Sequence, residues 1–480
     1  RQAAHEGGIK RGALAGAALA MVFLADVRWT FYAGLLAGAL WLCRSLWPVD
    51  YRPSARRVVQ AASTAIVISL MLTAILSLPL VEFIRYSSRG ALSLQDAAIY
   101  SLPLYPYLLG LIIPIPGVLH EWVTYIGIVP LALAAYGAIR HRAWFWVVSI
   151  AVAVAFSLGS NFILFPALFR LLPGIGFLRV PARAWFVVAL GGCVLAGGGL
   201  DALLTPRLLP ARYRLLSQLM AARHIVAPAV MLLTIIDLLQ LSNTFLVARP
   251  LPDPLPVSRW IEMQPGLFRV YSPSASLPLP DSLQHVEGVN PLHLSAYEEF
   301  VARASGIPVG GYSVSVPFFF VAEPDAEPAR AKIASSPDPQ LLGMLNVKYV
   351  AVEFPINVPG LLPIRTFGRT YLYENVVVRP RVWIDSGSAD VNEWTPNRLV
   401  IRARGAGLLV VSEIMYPGWV ARVDGAPKHV EAVGGLLRGV RLEGGQHYVT
   451  MEFRPISVYI GMSITIIALS LLAAIWRWAQ

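Results

Sequence analysis

The chain has 480 residues, of which 56% are hydrophobic and only 14% charged, and its 39 Lys and Arg against 28 Asp and Glu give a net charge of +11. An ordinary soluble domain carries about 25% charged residues, so this composition excludes a disordered, collagen-like or soluble cytosolic chain and marks a membrane protein. Its two cysteines, Cys43 and Cys193, each lie inside an apolar run, which excludes a disulfide framework and a multi-cysteine zinc site.

The chain opens on Arg1 with no signal-peptide pattern ahead of its first apolar run, which predicts a natural start lying upstream. A bilayer span takes about 20 largely apolar residues. Runs of that kind predict helices over 11–25, 29–46, 59–84, 122–139, 143–159, 183–204, 224–241 and 456–476. The first is short and abuts Asp26 and Arg28, and reads either as a short helix or as half of a re-entrant hairpin with the second. Lys10 and Arg11, then Arg44, Arg52, Arg56 and Arg57, then Arg140 and Arg142, then Arg207, Arg212, Arg214 and Arg223, and finally Arg477 fall on one side of successive spans. The positive-inside rule makes that side cytoplasmic and turns 85–121, 160–182 and 242–455 outward. Residues 242–455 hold 19 Lys and Arg against 20 Asp and Glu, while the other 266 residues hold 20 against 8. The basic excess therefore belongs to the apolar part, and no nucleic-acid footprint is visible. Gly191-Gly192 and Gly197-Gly198-Gly199 lie inside a span without the strand–turn–helix context of a nucleotide loop, and predict close helix packing.

Residues 242–455 change character: apolar runs shorten to strand length, punctuated by Pro and Gly. In 242–389, Leu267–Tyr271 reads as a strand, Ser295–Ala304 as a helix, Pro339–Leu345 as a second helix and Val347–Glu353 as a further strand, which predicts a small α+β region. In 390–455 the strands Arg398–Ala403, Gly407–Glu413, Gly418–Asp424, Leu436–Leu442 and His447–Phe453 follow closely, with turns at Asp424-Gly425, Gly434-Gly435 and Gly444-Gly445. That pattern predicts an antiparallel β-sandwich. The predicted architecture is a polytopic all-α membrane domain over 1–241 with about seven helices, an extracytoplasmic α+β region over 242–389, a β-sandwich over 390–455 and a C-terminal transmembrane helix over 456–480.

Several stretches together carry a likeness. They are Gly12–Leu46, with its polar break before Phe31-Tyr32; Leu78-Pro79-Leu80 through Ser87-Ser88-Arg89 to Tyr100-Ser101-Leu102-Pro103; and Leu172-Pro173-Gly174 ahead of Phe177-Leu178-Arg179-Val180-Pro181-Ala182-Arg183. Further on come Leu342–Val350, Tyr373-Glu374-Asn375 ahead of Arg379-Pro380-Arg381, and Tyr416-Pro417-Gly418-Trp419. In order and spacing the chain resembles the bacterial YfhO-type membrane protein family, whose architecture is similar to the GT-C class of glycosyltransferases. The resemblance implies a protein of the bacterial cytoplasmic membrane that transfers a sugar from a polyprenyl-phosphate carrier to an envelope glycan or polymer outside the cytoplasm. It also implies a catalytic acidic residue in the first outward loop, which would lie upstream of Arg1. The polar break here reads Asp26-Val27-Arg28 where the resemblance leads one to expect a Gly-His-Pro-Gln-like turn.

A lipid-phosphate donor calls for arginine at the outer surface, because a guanidinium binds phosphate through two parallel hydrogen bonds and keeps its charge. Arg85 and Arg89 (i, i+4) follow the third span, and Arg179 and Arg183 flank the start of the sixth, all against the orientation rule. They are candidates for a phosphate clamp; the alternative is snorkelling to ordinary lipid phosphates. Transfer with inversion needs a carboxylate to take the acceptor proton. Asp96 and Glu121 are the candidates, with His120 beside Glu121, against plain solvation in a loop. A divalent ion could bridge such a carboxylate to the phosphate, although the histidines show no metal-ligand spacing. Glu82 and Asp237 read as ion-pair or interfacial partners, Glu82 with Arg85. Tyr416 and Trp419 could stack on sugar rings or fill the sandwich and dock on the membrane part. Phe318–Phe320 reads as a buried strand, against a triplet that dips into the interface or closes over the membrane cavity. Set against transfer is a non-catalytic membrane protein that binds or scaffolds an envelope glycopolymer.

Overall fold

Each of the eight apolar runs contains a helix, although the run 122–139 is helical only from Ile128. The computed structural model describes residues 8–46, 55–105, 109–115, 120–141, 143–172, 174–204, 223–245, 255–273, 282–309, 311–317, 335–368 and 370–478. Phe318–Phe320 and the loop arginines Arg52, Arg142, Arg207, Arg212 and Arg214 lie outside these. The chain divides into two units, one of residues 1–74, 91–250 and 463–480, the other of 75–90 and 251–462.

The first unit is helical. α1 (Ile9–Ala25) and α2 (Val27–Leu46) are separated only by Asp26, whose extended backbone breaks the helix. α3 (Ala55–Tyr86) follows, then the single turn α4 (Leu94–Ala97), α5 (Ile128–His141), α6 (Trp144–Ser157), α7 (Leu164–Leu171), α8 (Trp185–Leu204), α9 (Arg223–Phe245) and, at the end of the chain, α13 (Ile456–Trp478). Among the described residues three segments are long and apolar enough to cross a membrane: Ala55–Tyr86, Pro181–Leu204 and Ile456–Arg477. Small residues set the packing, since lipid tails offer no hydrophobic driving force between helices. A methyl group on Gly12 or Gly16 would lie 2.5 Å from the Ala61 or Ala65 carbonyl oxygen of α3. On Gly137 or Gly199 it would lie 2.1 or 2.0 Å from the Leu195 or Leu133 carbonyl oxygen across the α5–α8 contact. Ala468 of α13 packs with Ala13, Ala20, Ile68 and Leu72.

The second unit is β-rich. Strands β1 (Arg269–Tyr271), β2 (Gln284–His285), β5 (Val347–Val352), β6 (Leu361–Phe367) and β7 (Thr370–Asn375) form a mixed sheet in the order β2-β1-β5-β7-β6. Alternating side chains feed two cores. Tyr271, Val347, Val350 and Tyr373 meet Phe300 and Val301 of α11 (Ser295–Ser305) and Leu342 of α12 (Pro339–Met344). Val270, Tyr349, Ala351 and Leu372 meet Val257 and Ile261 of α10 (Pro256–Glu262) on the other face. β3 (Gly288–Val289) and β4 (Ser315–Val316) pair as a short ribbon.

Two further sheets face each other, as the alternating pattern predicts. One is β13 (Ala426–Lys428), β12 (Trp419–Val423), β16 (Gln446–Phe453), β10 (Arg398–Gly405) and β9 (Gly387–Thr395); the other is β14 (Glu431–Val433), β15 (Leu437–Leu442), β11 (Gly407–Ile414) and β8 (Val382–Ile384). Leu399, Ile401, Val449 and Met451 interdigitate with Leu409, Val411, Val440 and Leu442 between them. The sandwich begins at Val382, ahead of the expected boundary at 390, because β8 pairs with β11. Val410, Leu436 and Leu437 turn instead toward the core of the mixed sheet, so the β15–β11 sheet is covered on both faces. Asp424 and Gly425, with φ of 50° and 85°, make the tight β12–β13 turn.

Candidate functional site

Loops at one end of the helices in the first unit are knitted into a layer. Leu102 donates its N–H to the Ser157 carbonyl (2.9 Å) and Val180 to that of Ala97 (3.2 Å). The Trp122 and Trp185 indoles donate to Tyr100 O (3.2 Å) and Thr124 O (3.1 Å). Beneath lie Tyr32, Phe156, Phe165, Ile175 and Trp185. Two residues in this layer, Tyr100 and Val180, have left-handed backbones, with φ of 56° and 66°. For a β-branched residue this is a strained state that persists only where its surroundings over-determine it. Val180 is buried, precedes Pro181 and is tied to Ala97, so the turn carrying Arg179 and Arg183 is held rigidly. Pro181–Ala184 forms a 3-10 turn that leads straight into α8, the helix start the sequence predicts between the two arginines.

Charge is concentrated on this layer. Arg183 forks onto Glu121, with Nη2 to Oε1 at 2.6 Å, Nε to Oε1 at 3.1 Å and Nε to Oε2 at 3.3 Å, and both side chains are largely buried. Arg28, at the start of α2, clamps Asp26 with Nη2 to Oδ2 at 2.6 Å. That hydrogen bond holds the Asp26 carboxyl below its ordinary value of 3.8 against the opposing effect of burial. The pairs also feel each other: Asp26 interacts with Arg183, and Arg28 with Glu121. Arg179 is half-buried in the same turn. The backbone of His120 begins the 3-10 turn His120–Trp122 that presents Glu121; its side chain lies outside the described residues. Asp96 caps α4, its Oδ2 accepting from Ser93 Oγ (2.6 Å) and Ser93 N (3.2 Å) while Ser93 Oγ accepts from Asp96 N. Asp237 accepts from Tyr125 Oη (2.6 Å) and from Ile128 N (3.1 Å) at the N-terminus of α5.

The other predicted residues fold with the second unit. Arg85 is exposed near the end of α3, and Arg89, half-buried, sits in the turn Ser88–Ala91 with its N–H donating to Ser87 Oγ (3.2 Å). Tyr416 packs on Phe83, Tyr86 and Phe453, with ring centroids 6.0, 5.8 and 6.2 Å away. Its hydroxyl, pushed up to about 12 chiefly by burial, bonds Glu82. Trp419 stacks on Phe453 at 5.3 Å and carries the Arg438 guanidinium 3.6 Å above its ring. Both aromatics serve packing here.

Among the described residues no three His, Cys, Asp or Glu converge as a metal cage. Glu121 contributes one carboxylate with both oxygens held by Arg183, so these donors do not fit a divalent ion. Two features went unread in the sequence. Asp26 and Arg28 read only as a helix break, yet two opposite charges flanking one apolar residue at a span end are the signal of a local pair. Arg269, Arg381, Glu413 and Arg438 are a second charged group, in the β-rich unit; Arg438, inside the apolar strand Leu436–Leu442, is its visible trace. Comparisons with family models, with curated proteins and with solved structures return no match.

Proposed function

We propose that this chain is a GT-C-like membrane glycosyltransferase of the YfhO-type kind, working at the extracytoplasmic face of the bacterial cytoplasmic membrane. Its donor would be a sugar on polyprenyl phosphate and its acceptor an envelope glycan or polymer. The observation that carries the reading is the strained Arg179–Arg183 turn with Glu121 locked onto Arg183, in a layer at one end of apolar helices. Loop charge supports the orientation: the cytoplasmic assignment of the Lys10, Arg44 and Arg140 loops turns this layer outward.

In this reading Arg179 and Arg183 receive the donor phosphate. A phosphate arriving at Arg183 competes with Glu121 for the same guanidinium fork and frees an oxygen of that carboxylate. Glu121 then accepts the proton of the acceptor hydroxyl as its oxygen attacks the anomeric carbon. The anomeric C–O bond to phosphate breaks, and polyprenyl phosphate leaves with the bonding pair. Asp96, whose carboxylate is already committed to capping α4, is the lesser candidate for acceptor contact.

The test is transfer of labelled sugar from a synthetic polyprenyl phosphate by the purified full-length protein, compared with Glu121→Gln and with Arg179→Ala combined with Arg183→Ala. Transfer that falls by orders of magnitude in both variants supports the reading. Unchanged transfer in the double arginine variant removes the clamp. Glycopolymer binding without transfer in any form establishes the non-catalytic alternative.

A further inference from the structure

Two arginines share one carboxylate inside the β-rich unit, and a third stands close enough to feel its charge. Arg269 donates Nη2 to Glu413 Oε1 (2.7 Å) and Nη1 to the Ser412 carbonyl (2.8 Å). Arg381 lies with Nε 3.3 Å from the same Glu413 oxygen and bonds Gln284 through Nη2. Arg438, stacked on Trp419, is only 5% exposed, and its Nε and Nη1 have no hydrogen-bond partner. All four charged groups line one cavity of about 260 Å³ that opens beside Trp394 and Thr395 of the β9–β10 hairpin. Ligand pockets run from about 300 Å³ upward, so this volume suits a small ion or one compact group.

Arg438 is buried because of the fold. It shares a face of β15 with Val440 and Leu442, which fill the sandwich, and its register partner on β11 is Val411. The guanidinium therefore stands at the end of the sandwich interior, where an apolar side chain would close the core. Burying a charge without an acceptor is costly. Burial accordingly pulls both Arg381 and Arg438 down to about 10, with Arg269 adding repulsion, yet both remain cationic at neutral pH. The lining charges sum to an excess of two positive charges.

We infer that this cavity is an anion site that takes a phosphate group, as a monoester or diphosphate, with Arg438 and Arg381 as its principal donors. A dianion neutralises the excess, and a tetrahedral oxyanion supplies acceptors to the Nε and Nη1 of Arg438 that the protein leaves without one. Glu413 orients Arg269 and Arg381 from behind and keeps the empty site from carrying three bare cations. The lining residues all belong to the β-rich unit, whereas Arg183 and Glu121 belong to the helical one, and the assignment stands whether or not the chain transfers sugar. The phosphate could belong to a soluble sugar phosphate or to a lipid headgroup.

The test is calorimetric titration of the full-length protein in detergent at low ionic strength with inorganic phosphate, a hexose 1-phosphate and a short-chain phosphatidic acid. Saturable binding is expected, weakened on the order of tenfold or more in Arg438→Met, since a hydrogen bond to a charged group contributes that much. A preference for hexose 1-phosphate over inorganic phosphate assigns a soluble ligand, and a preference for phosphatidic acid assigns a headgroup. Glu413→Gln, which removes the one carboxylate among the described lining residues, is expected to tighten phosphate binding several-fold. No saturable binding by the unaltered protein, equal binding in Arg438→Met, or unchanged binding in Glu413→Gln would each overturn the assignment.

Discussion

Gly199→Ala against Gly197→Ala isolates the packing of α5 on α8. The two glycines are two residues apart on one helix, so the helix-propensity gain from Gly to Ala, about 1 kcal/mol, is common to both. Their surroundings are opposite. A methyl at Gly197 meets nothing within 4 Å, whereas at Gly199 it lies 2.0 Å from the Leu133 carbonyl oxygen and 3.1 Å from the Gly137 nitrogen. The first contact falls about 1.4 Å short of the 3.4 Å at which contact becomes ordinary, and both obstacles are backbone. No rotamer change relieves the clash; the helices must separate, which costs about 1–3 kcal/mol by analogy with overpacked cores. Gly199→Ala is expected to lower the unfolding temperature of the detergent-solubilised protein, and Gly197→Ala to leave it unchanged or raise it slightly. Equal behaviour of the two variants would refute the close approach of α5 and α8.

Breaking the Glu121–Arg183 fork by either Glu121→Gln or Arg183→Met should cost about 1–3 kcal/mol, between exposed and fully buried pairs, and a double-mutant cycle in chemical unfolding should show most of that loss as coupling. His293 is 7% exposed; burial disfavours its charge, but Glu298 at 3.2 Å and the Asn290 carbonyl at 3.0 Å outweigh this and hold its pKa above the ordinary 6.5. A group raised on folding stabilises fully below its unfolded value and ceases to do so as pH rises through the folded one. Stability should therefore fall as pH climbs upward from 6.5, and the difference between the unaltered protein and His293→Gln in pH-dependent unfolding should reproduce that slope. Tyr416→Phe, which removes the hydroxyl bonded to Glu82, should cost about 1.5 kcal/mol, read by the same unfolding assay, with Tyr416→Ala costing more through lost packing on Phe83 and Tyr86.

Periodicity and turn chemistry made much of this architecture legible. Ser295–Ala304 and Arg398–Ala403 appear within two residues of the ends they were read to have, because each carries an amphipathic or alternating pattern and a local stop. Strands β6 and β9 were not legible. β6 is exposed along most of its length and contains Pro363, and β9 is polar on both sides of Val391. Each is an edge strand held by hairpin pairing with the next strand in the chain, β6 with β7 and β9 with β10, and an edge strand with little buried surface carries no alternating apolar pattern. Apolarity likewise found α5 and α6, although each is only 14 residues long.

The charged groups were harder to read, for a physical reason. Arg179 and Arg183 were visible because they defy the orientation rule, but the carboxylate that meets Arg183 comes from a loop 62 residues away. The two arginine groups also differ in what an incoming anion must do. At Arg183 the fork is already filled by Glu121, so a phosphate can bind only by displacing a carboxylate, and that displacement is what would create a base. At Arg438 no acceptor stands in the way, so a phosphate fills the cavity and releases nothing. Exchange suits a step in a reaction; simple filling suits recognition or anchoring. A single chain holding both arrangements would bind phosphate at the sandwich without activating anything there, and any transfer chemistry would have to be sought at Glu121.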